Sequence, residues 1–151
     1  MSTTTCVDLH LSGPMDHLRI VWQTGEAVLE AVPFQEDPEG TRYNVLVALQ
    51  EMVTNVLRHA YRTGTYGPIV VRFEADKEGF RVTLRDRGPE FDPRGHQMHW
   101  AEAMPPDPGG YGIMIMRAVM DEVDYARQDG WNVVSMKKKT RTVQPAGLRG
   151  D

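Results

Sequence analysis

From Thr41 to Tyr61 the chain runs without Gly or Pro, and Val45, Leu49, Val53, Val56 and Ala60 recur at the spacing of one buried helical face. This pattern predicts a helix. Asn44, Glu51, Asn55 and Arg58 recur on the same stretch at intervals of seven, four and three, so a polar stripe lies beside the apolar one. The stripe has two readings. One is the solvated side of an amphipathic helix. The other is a carboxylate and an amide one turn apart that look into a pocket, with Glu51 as a general base and the Asn55 carbonyl oxygen binding a hard cation.

Elsewhere the period changes to two. Residues 6–12 alternate, with Cys6, Asp8, His10 and Ser12 on one side and Val7, Leu9 and Leu11 on the other, which predicts an edge strand with His10 toward solvent. Pro14 to Val32 reads as a first helix starting after Ser12 or Gly13, with Leu18, Val21, Ala27, Val28 and Ala31 supplying its apolar face and Gly25 weakening its middle. Residues 33–40 form a loop by their turn chemistry, and Thr41 is the expected cap of the central helix. Ile69, Val71, Phe73 and Ala75 then alternate, as do Phe80, Val82 and Leu84, and Lys77-Glu78-Gly79 turns between them to make an antiparallel hairpin. Continued one step, the alternation carries Asp86 to the inward face. A carboxylate left unsatisfied there costs about 1–3 kcal/mol or more, so Asp86 needs a dedicated partner. Its neighbours Arg85 and Arg87 point to the other face.

Arg87 to Gly110 has little periodicity and many Pro and Gly residues, the mark of a long functional or disordered loop. A metal reading of Asp92, His96 and His99 lacks a helix to set the spacing and a further ligand, while Trp100 and Met104 are expected to anchor the loop. Gly109-Gly110-Tyr111-Gly112 opens an apolar helix, Ile113–Met120. Such a turn lets backbone N–H groups approach phosphate oxygens, or is simply a loop ending at a helix. Val123–Arg127 and Trp131–Lys139 form a second hairpin around Gln128-Asp129-Gly130, with Asn132, Val134 and Met136 on one face and Asn132 toward the interior that holds Asp86. Lys137-Lys138-Lys139 reads as a solvated strand end that guards a sheet edge.

The 151 residues suit one domain, expected over residues 1–141 with a flexible tail at 142–151, and 40% hydrophobic with 25% charged residues is ordinary for a globular chain. A net charge of −4 argues against a sequence-independent nucleic-acid binder. No run reaches the ~18 apolar residues of a membrane span and the start lacks a secretory pattern, so a cytoplasmic protein is expected. The single Cys6 cannot form an internal disulfide and is expected to pack as a small apolar side chain or, so near the N-terminus, to be exposed.

Three motifs stand in a fixed order. A helix with Glu51-x-x-x-Asn55-x-x-x-His59-Ala60 precedes a strand ending in Asp86-x-Gly88-x-x-Phe91-Asp92-Pro93, and Gly110-x-Gly112-Ile113 follows a long loop. Together they resemble the ATP-binding fold of the GHKL superfamily over roughly residues 14–140. Gly109-Gly-Tyr-Gly-Ile, Met120-Asp-Glu-Val and Gly130-Trp-Asn132-Val-Val look most like its anti-sigma factor serine/threonine kinases. The resemblance implies an α/β two-layer sandwich of the Bergerat type, with a mixed, mostly antiparallel sheet and three main helices on one face. It implies ATP and Mg²⁺ as cofactors, Glu51 as the base, and Asn55 as the Mg²⁺ ligand. It further implies Asp86 against the adenine amino group, Gly88 close to the base, Gly110 and Gly112 at the phosphates, a nucleotide lid over 93–109, and Asn132 where many members have Thr. Ile113 replaces a common Leu. The lid holds Arg94 and no lysine, so Arg58 is a further candidate cation for the γ-phosphate. The implied function is phosphorylation of a STAS-type antagonist by a homodimeric kinase that also binds a sigma factor, with Met114, Met116 and Met120 serving the core or a partner surface. The alternative is a nucleotide-gated adaptor without phosphotransfer. A histidine-kinase catalytic domain is disfavoured because no second helical domain offers a phosphoacceptor histidine.

Overall fold

A computed structural model describes residues 4–12, 17–59, 67–90 and 110–141. Strand β1 (Thr5–Leu11) leads into helices α1 (His17–Glu30) and α2 (Pro38–His59). The hairpin β2 (Ile69–Ala75) and β3 (Gly79–Asp86), helix α3 (Gly110–Val119), and the hairpin β4 (Glu122–Gln128) and β5 (Trp131–Lys139) follow. The expectations for the lid at 93–109, for Asp92, Arg94, His96, His99, Trp100 and Met104, and for the tail at 142–151 lie outside the described residues.

The five strands pair in the order β1-β2-β3-β5-β4. All four described pairings are antiparallel, with no parallel pair of the kind a mixed sheet contains. Register sets the inward face. Leu9 lies opposite Val71, Leu84 opposite both Val71 and Val134, and Tyr125 opposite Val134. Val71, Phe73, Val82, Leu84 and Met136 are fully buried there with Val21, Leu29, Leu49 and Met52 from the helices, a two-layer core. The other face carries Arg72, Arg81, Arg85 and Arg87, all exposed, and Arg72 Nε reaches Asp8 Oδ1 at 2.7 Å. Cys6 shares that exposed side and does not pack as an apolar residue, because β1 lies at the sheet edge and its alternation sends only Val7, Leu9 and Leu11 inward.

Helix α2 begins three residues before Thr41. Asp37 is its cap: the backbone carbonyl accepts from Thr41 N at 2.8 Å and Oδ1 from Gly40 N at 3.3 Å, with Pro38 at the first helical position. Pro38 and Gly40 look like helix breakers but occupy the turn that tolerates them. Arg42 on α2 donates from Nε to Leu29 O (3.0 Å) and from Nη2 to Val32 O (3.2 Å), closing the carbonyl end of α1. On α1 the buried face is His17, Val21, Gly25, Val28 and Leu29, whereas Ala27 and Ala31 are exposed. The core seeks the larger side chains, and α1 is rotated toward Leu29.

The lysine run does not guard an edge. β5 pairs with β3 on one side and β4 on the other, so β4 takes the edge and Lys137–Lys139 end an interior strand. Lys138 falls on the helix side, where Nζ stands 3.8 Å from Asp121 Oδ1. The turn of that hairpin is Asp129 (φ 51°) and Gly130 (φ 82°), the left-handed pair that a two-residue loop demands.

Gly25 sits where α1 crosses α2 and the sheet. A Cβ there would lie 2.6 Å from Leu49 Cδ2 and 3.3 Å from Phe73 Cε1. Gly25→Ala gains up to about 1 kcal/mol of helix propensity but incurs about 1–3 kcal/mol of overpacking, so it is expected to lower the urea midpoint of unfolding.

Candidate functional site

The polar stripe of α2 divides. Asn44 and Arg58 are exposed, Glu51 is half-buried, and Asn55 is buried at 4% exposure. The solvated reading holds at the two ends of the stripe and fails in the middle. Neither Asn55 Nδ2 nor Oδ1 has a hydrogen-bond partner, and among the described residues only His17 at the head of α1 shares that condition. Each such group carries about 1–3 kcal/mol of desolvation without compensation, which a backbone helix has no local reason to bear.

Glu51 lies against α3. A Cβ on Gly112 would overlap Glu51 Oε2 and lie 3.2 Å from Glu51 Cβ and Cδ, so only glycine lets the first turn of α3 come this close. Gly110 is the first residue of that helix. The two glycines belong to the helix and not to a turn before it. The base candidate therefore abuts a helix N-terminus, whose free N–H groups and dipole favour anions.

The second cluster closes the inward face of the sheet at the end of β3. Asp86 (3% exposed) is paired across the strands with Asn132 (2% exposed). Asp86 Oδ1 accepts from Asn132 Nδ2 at 3.0 Å and from Gly88 N at 2.8 Å. These hydrogen bonds both go to Oδ1, and among the described residues none is made by Oδ2. Burial pushes the Asp86 carboxyl above the usual carboxylate range, against the opposing pull of Asn132, Gly88 and Arg127. The dedicated partner expected for Asp86 is therefore Asn132.

Asn132 is more occupied than a residue that simply faces a ligand. Besides Asp86, its Nδ2 donates to Gly88 O (3.3 Å) and Pro89 O (2.8 Å), and its Oδ1 accepts from Tyr125 Oη (2.7 Å) and Arg127 Nη1 (3.0 Å). Arg127 Nη1 also reaches Gly88 O at 2.8 Å. Sequence reasoning missed Tyr125 and Arg127. The signal was present, since a two-residue Asp129-Gly130 loop sets Arg127 opposite Asn132. The structure thus joins Glu51 to Gly112, and Asp86 to Gly88 and Asn132; residues 91–109 lie between Gly88 and Gly112 in sequence.

The residues fit a nucleotide with its metal. An unpartnered buried amide oxygen suits a hard cation, a glycine-cleared helix start suits phosphate, and a buried carboxylate with one uncommitted oxygen suits an amino donor. His59 lies on α2, and nothing further is described of its side chain. Because the Asp86 pKa is raised on folding, ionised Asp86 lowers stability once pH rises through the folded pKa. Asp86→Asn keeps the Oδ1 acceptor for Asn132 and Gly88. Its thermal midpoint without ligand is expected to exceed wild type by a few degrees at neutral pH, with the gap shrinking as pH falls from the raised folded pKa toward the ordinary carboxylate range and closed below that range.

The model of the histidine kinase-like ATPase domain family matches residues 14–138. Serine-protein kinase RsbW of Oceanobacillus iheyensis is 29% identical over 97 residues, 60% of this chain and 61% of that protein, so the match spans about three-fifths of its length. Serine/threonine-protein kinase BtrW of Bordetella bronchiseptica is 25% identical over 104 residues, 63% of this chain and 68% of that protein. Serine-protein kinase RsbW of Staphylococcus epidermidis is 24% identical over 144 residues, 90% of this chain and 88% of that protein. Among the described residues no helix is long and apolar enough to cross a membrane. The family model runs through both clusters of the site, from α2 to β5, and the chain belongs to the histidine kinase-like ATPase domain family.

Proposed function

We propose that this chain is a Mg-ATP-dependent serine/threonine protein kinase that phosphorylates a STAS-type antagonist and binds a sigma factor, acting in the cytoplasm as a homodimer. The observation that carries the reading is the buried, unpartnered amide of Asn55 one turn from Glu51, with Glu51 packed on Gly112 at the start of α3. Membership of an ATPase-domain family and relatives named serine-protein kinase support it.

Asn55 would hold Mg²⁺ through Oδ1, which is a neutral oxygen donor of the kind hard cations accept alongside phosphate. ATP supplies the phosphoryl group, and the N-terminus of α3 with Gly110 and Gly112 receives its phosphates. Glu51 takes the proton of the acceptor hydroxyl as its oxygen bonds to phosphorus and ADP leaves. Asp86 accepts from the adenine amino group through Oδ2, with Gly88 letting the base approach the backbone. Positioning and charge neutralisation account for most of catalysis in such transfers, so the protein needs few reacting groups.

Purified protein with γ-labelled ATP, Mg²⁺ and cytoplasmic extract is expected to label one small protein. Glu51→Ala should lower that labelling about 10²–10⁴-fold while ATP affinity by calorimetry stays near wild type. Undiminished labelling by Glu51→Ala would remove Glu51 as the base. If wild type binds Mg-ATP and labels nothing, the chain is a nucleotide-gated adaptor. Asn55→Ala separates the metal role from a structural one: without nucleotide it is expected to be as stable as wild type or more so, since it removes two unpaired buried groups, while the Mg²⁺-dependent part of ATP affinity disappears.

A further inference from the structure

Asn132 poses a question of orientation, because an amide presents an acceptor on one side and a donor on the other. On one side stand three acceptors, Asp86 Oδ1, Gly88 O and Pro89 O. On the other stand Tyr125 Oη and Arg127 Nη1. A tyrosine hydroxyl donates or accepts, so it suits either orientation, whereas a guanidinium only donates. Arg127 is therefore the group on β4 that admits nothing but the amide oxygen. Its second bond, to Gly88 O, ties the same guanidinium to the backbone just after Asp86.

We infer that Arg127 is a positioning and specificity-determining residue for the base end of the nucleotide site: it locks the Asn132 amide with its NH₂ toward Asp86, keeping Asp86 a hydrogen-bond acceptor selective for a 6-amino purine. The inference rests on the proposed nucleotide-binding role of Asp86. Its chemistry is simple. Ionised Asp86 accepts from a 6-amino group and repels a 6-oxo group, while protonated Asp86 has an O–H to offer the 6-oxo oxygen instead. Burial favours the protonated form, and Arg127 is the charged side chain whose field opposes it. Arg85 and Arg87 stand on the opposite face of the sheet, 6.0 Å and 4.5 Å from the Trp131 ring centroid, and no charged group of α1, α2 or α3 contributes among the described residues. Arg127 is itself exposed on the edge strand, so replacing it leaves the core intact.

The test is calorimetric binding of ATP and of inosine triphosphate, each with Mg²⁺, to the full chain at a series of pH values from neutral down toward the ordinary carboxylate range. Wild type, Arg127→Ala and Arg127→Lys are compared, with circular dichroism confirming the fold. Arg127→Ala is expected to bind ATP about tenfold more weakly at neutral pH, the scale of one lost charge-assisted hydrogen bond. Its ATP affinity should begin to fall at a higher pH than in wild type, its preference for ATP over inosine triphosphate should shrink as pH drops, and Arg127→Lys should restore the pH midpoint. An Arg127→Ala protein that matches wild type, or that weakens by one factor at every pH with the nucleotide preference unchanged, overturns the inference and leaves Arg127 a structural contact. Wild type without saturable ATP binding overturns the nucleotide reading of Asp86 itself, and this inference with it.

Discussion

Asp86 and Asn132 face each other across β3 and β5 on the side of the sheet that the helices cover, and the side-chain hydrogen bond between them decides how that end of the core is closed. A row of apolar residues, Val82 and Leu84 beside Met136 and Val134, leads up to the pair. Continuing the row with two more apolar side chains would be the cheaper way to fill the layer, since a buried polar group gains little net stability even when satisfied. The fold instead buries a carboxylate and holds it through Asn132 on β5, which Tyr125 and Arg127 on β4 hold in turn. Gly88, Asn132, Tyr125 and Arg127 form one connected network, and a network of this kind holds its members in a single arrangement only when all of them are satisfied.

The other half of the site follows the opposite rule. Asn55 is buried as deeply as Asp86, but among the described residues its amide has no partner. The cluster at Asp86 is held by its own hydrogen bonds, while at Asn55 the described residues supply none. Both halves depend on close helix packing. Gly25 lets α1 settle onto Leu49 and Phe73, and Gly112 lets α3 settle onto Glu51. In each case a methyl group would hold two elements apart, so the glycines set distance and not backbone conformation.

Much of this architecture follows from local rules. The alternation of Ile69–Ala75 and Phe80–Asp86, the helical face of Val45, Leu49, Val53 and Val56, and the two hairpin turns are each dictated by residues close in sequence. Those patterns placed Asp86 inward, and the order of motifs pointed to the histidine kinase-like family, which the family model supports over residues 14–138. Local rules failed where a residue's role depends on what lies across from it. Ala27 and Ala31 face solvent because α2 and the sheet meet α1 along the line of Leu29, and Asp37 caps α2 through a turn that Pro38 and Gly40 disguise.

The sequence by itself determined the periods, the turns and the residue types that carry the chemistry, since these arise from dihedral preferences and the burial of one face at a time. Tertiary structure decided which strand became an edge and which polar side chains were satisfied. The lysine run ends an interior strand only because β5 pairs with both β3 and β4. Asn132 is saturated and Asn55 is not, because hydrogen-bond satisfaction depends on groups far away in the chain that only the assembled sheet and helices bring within about 3 Å.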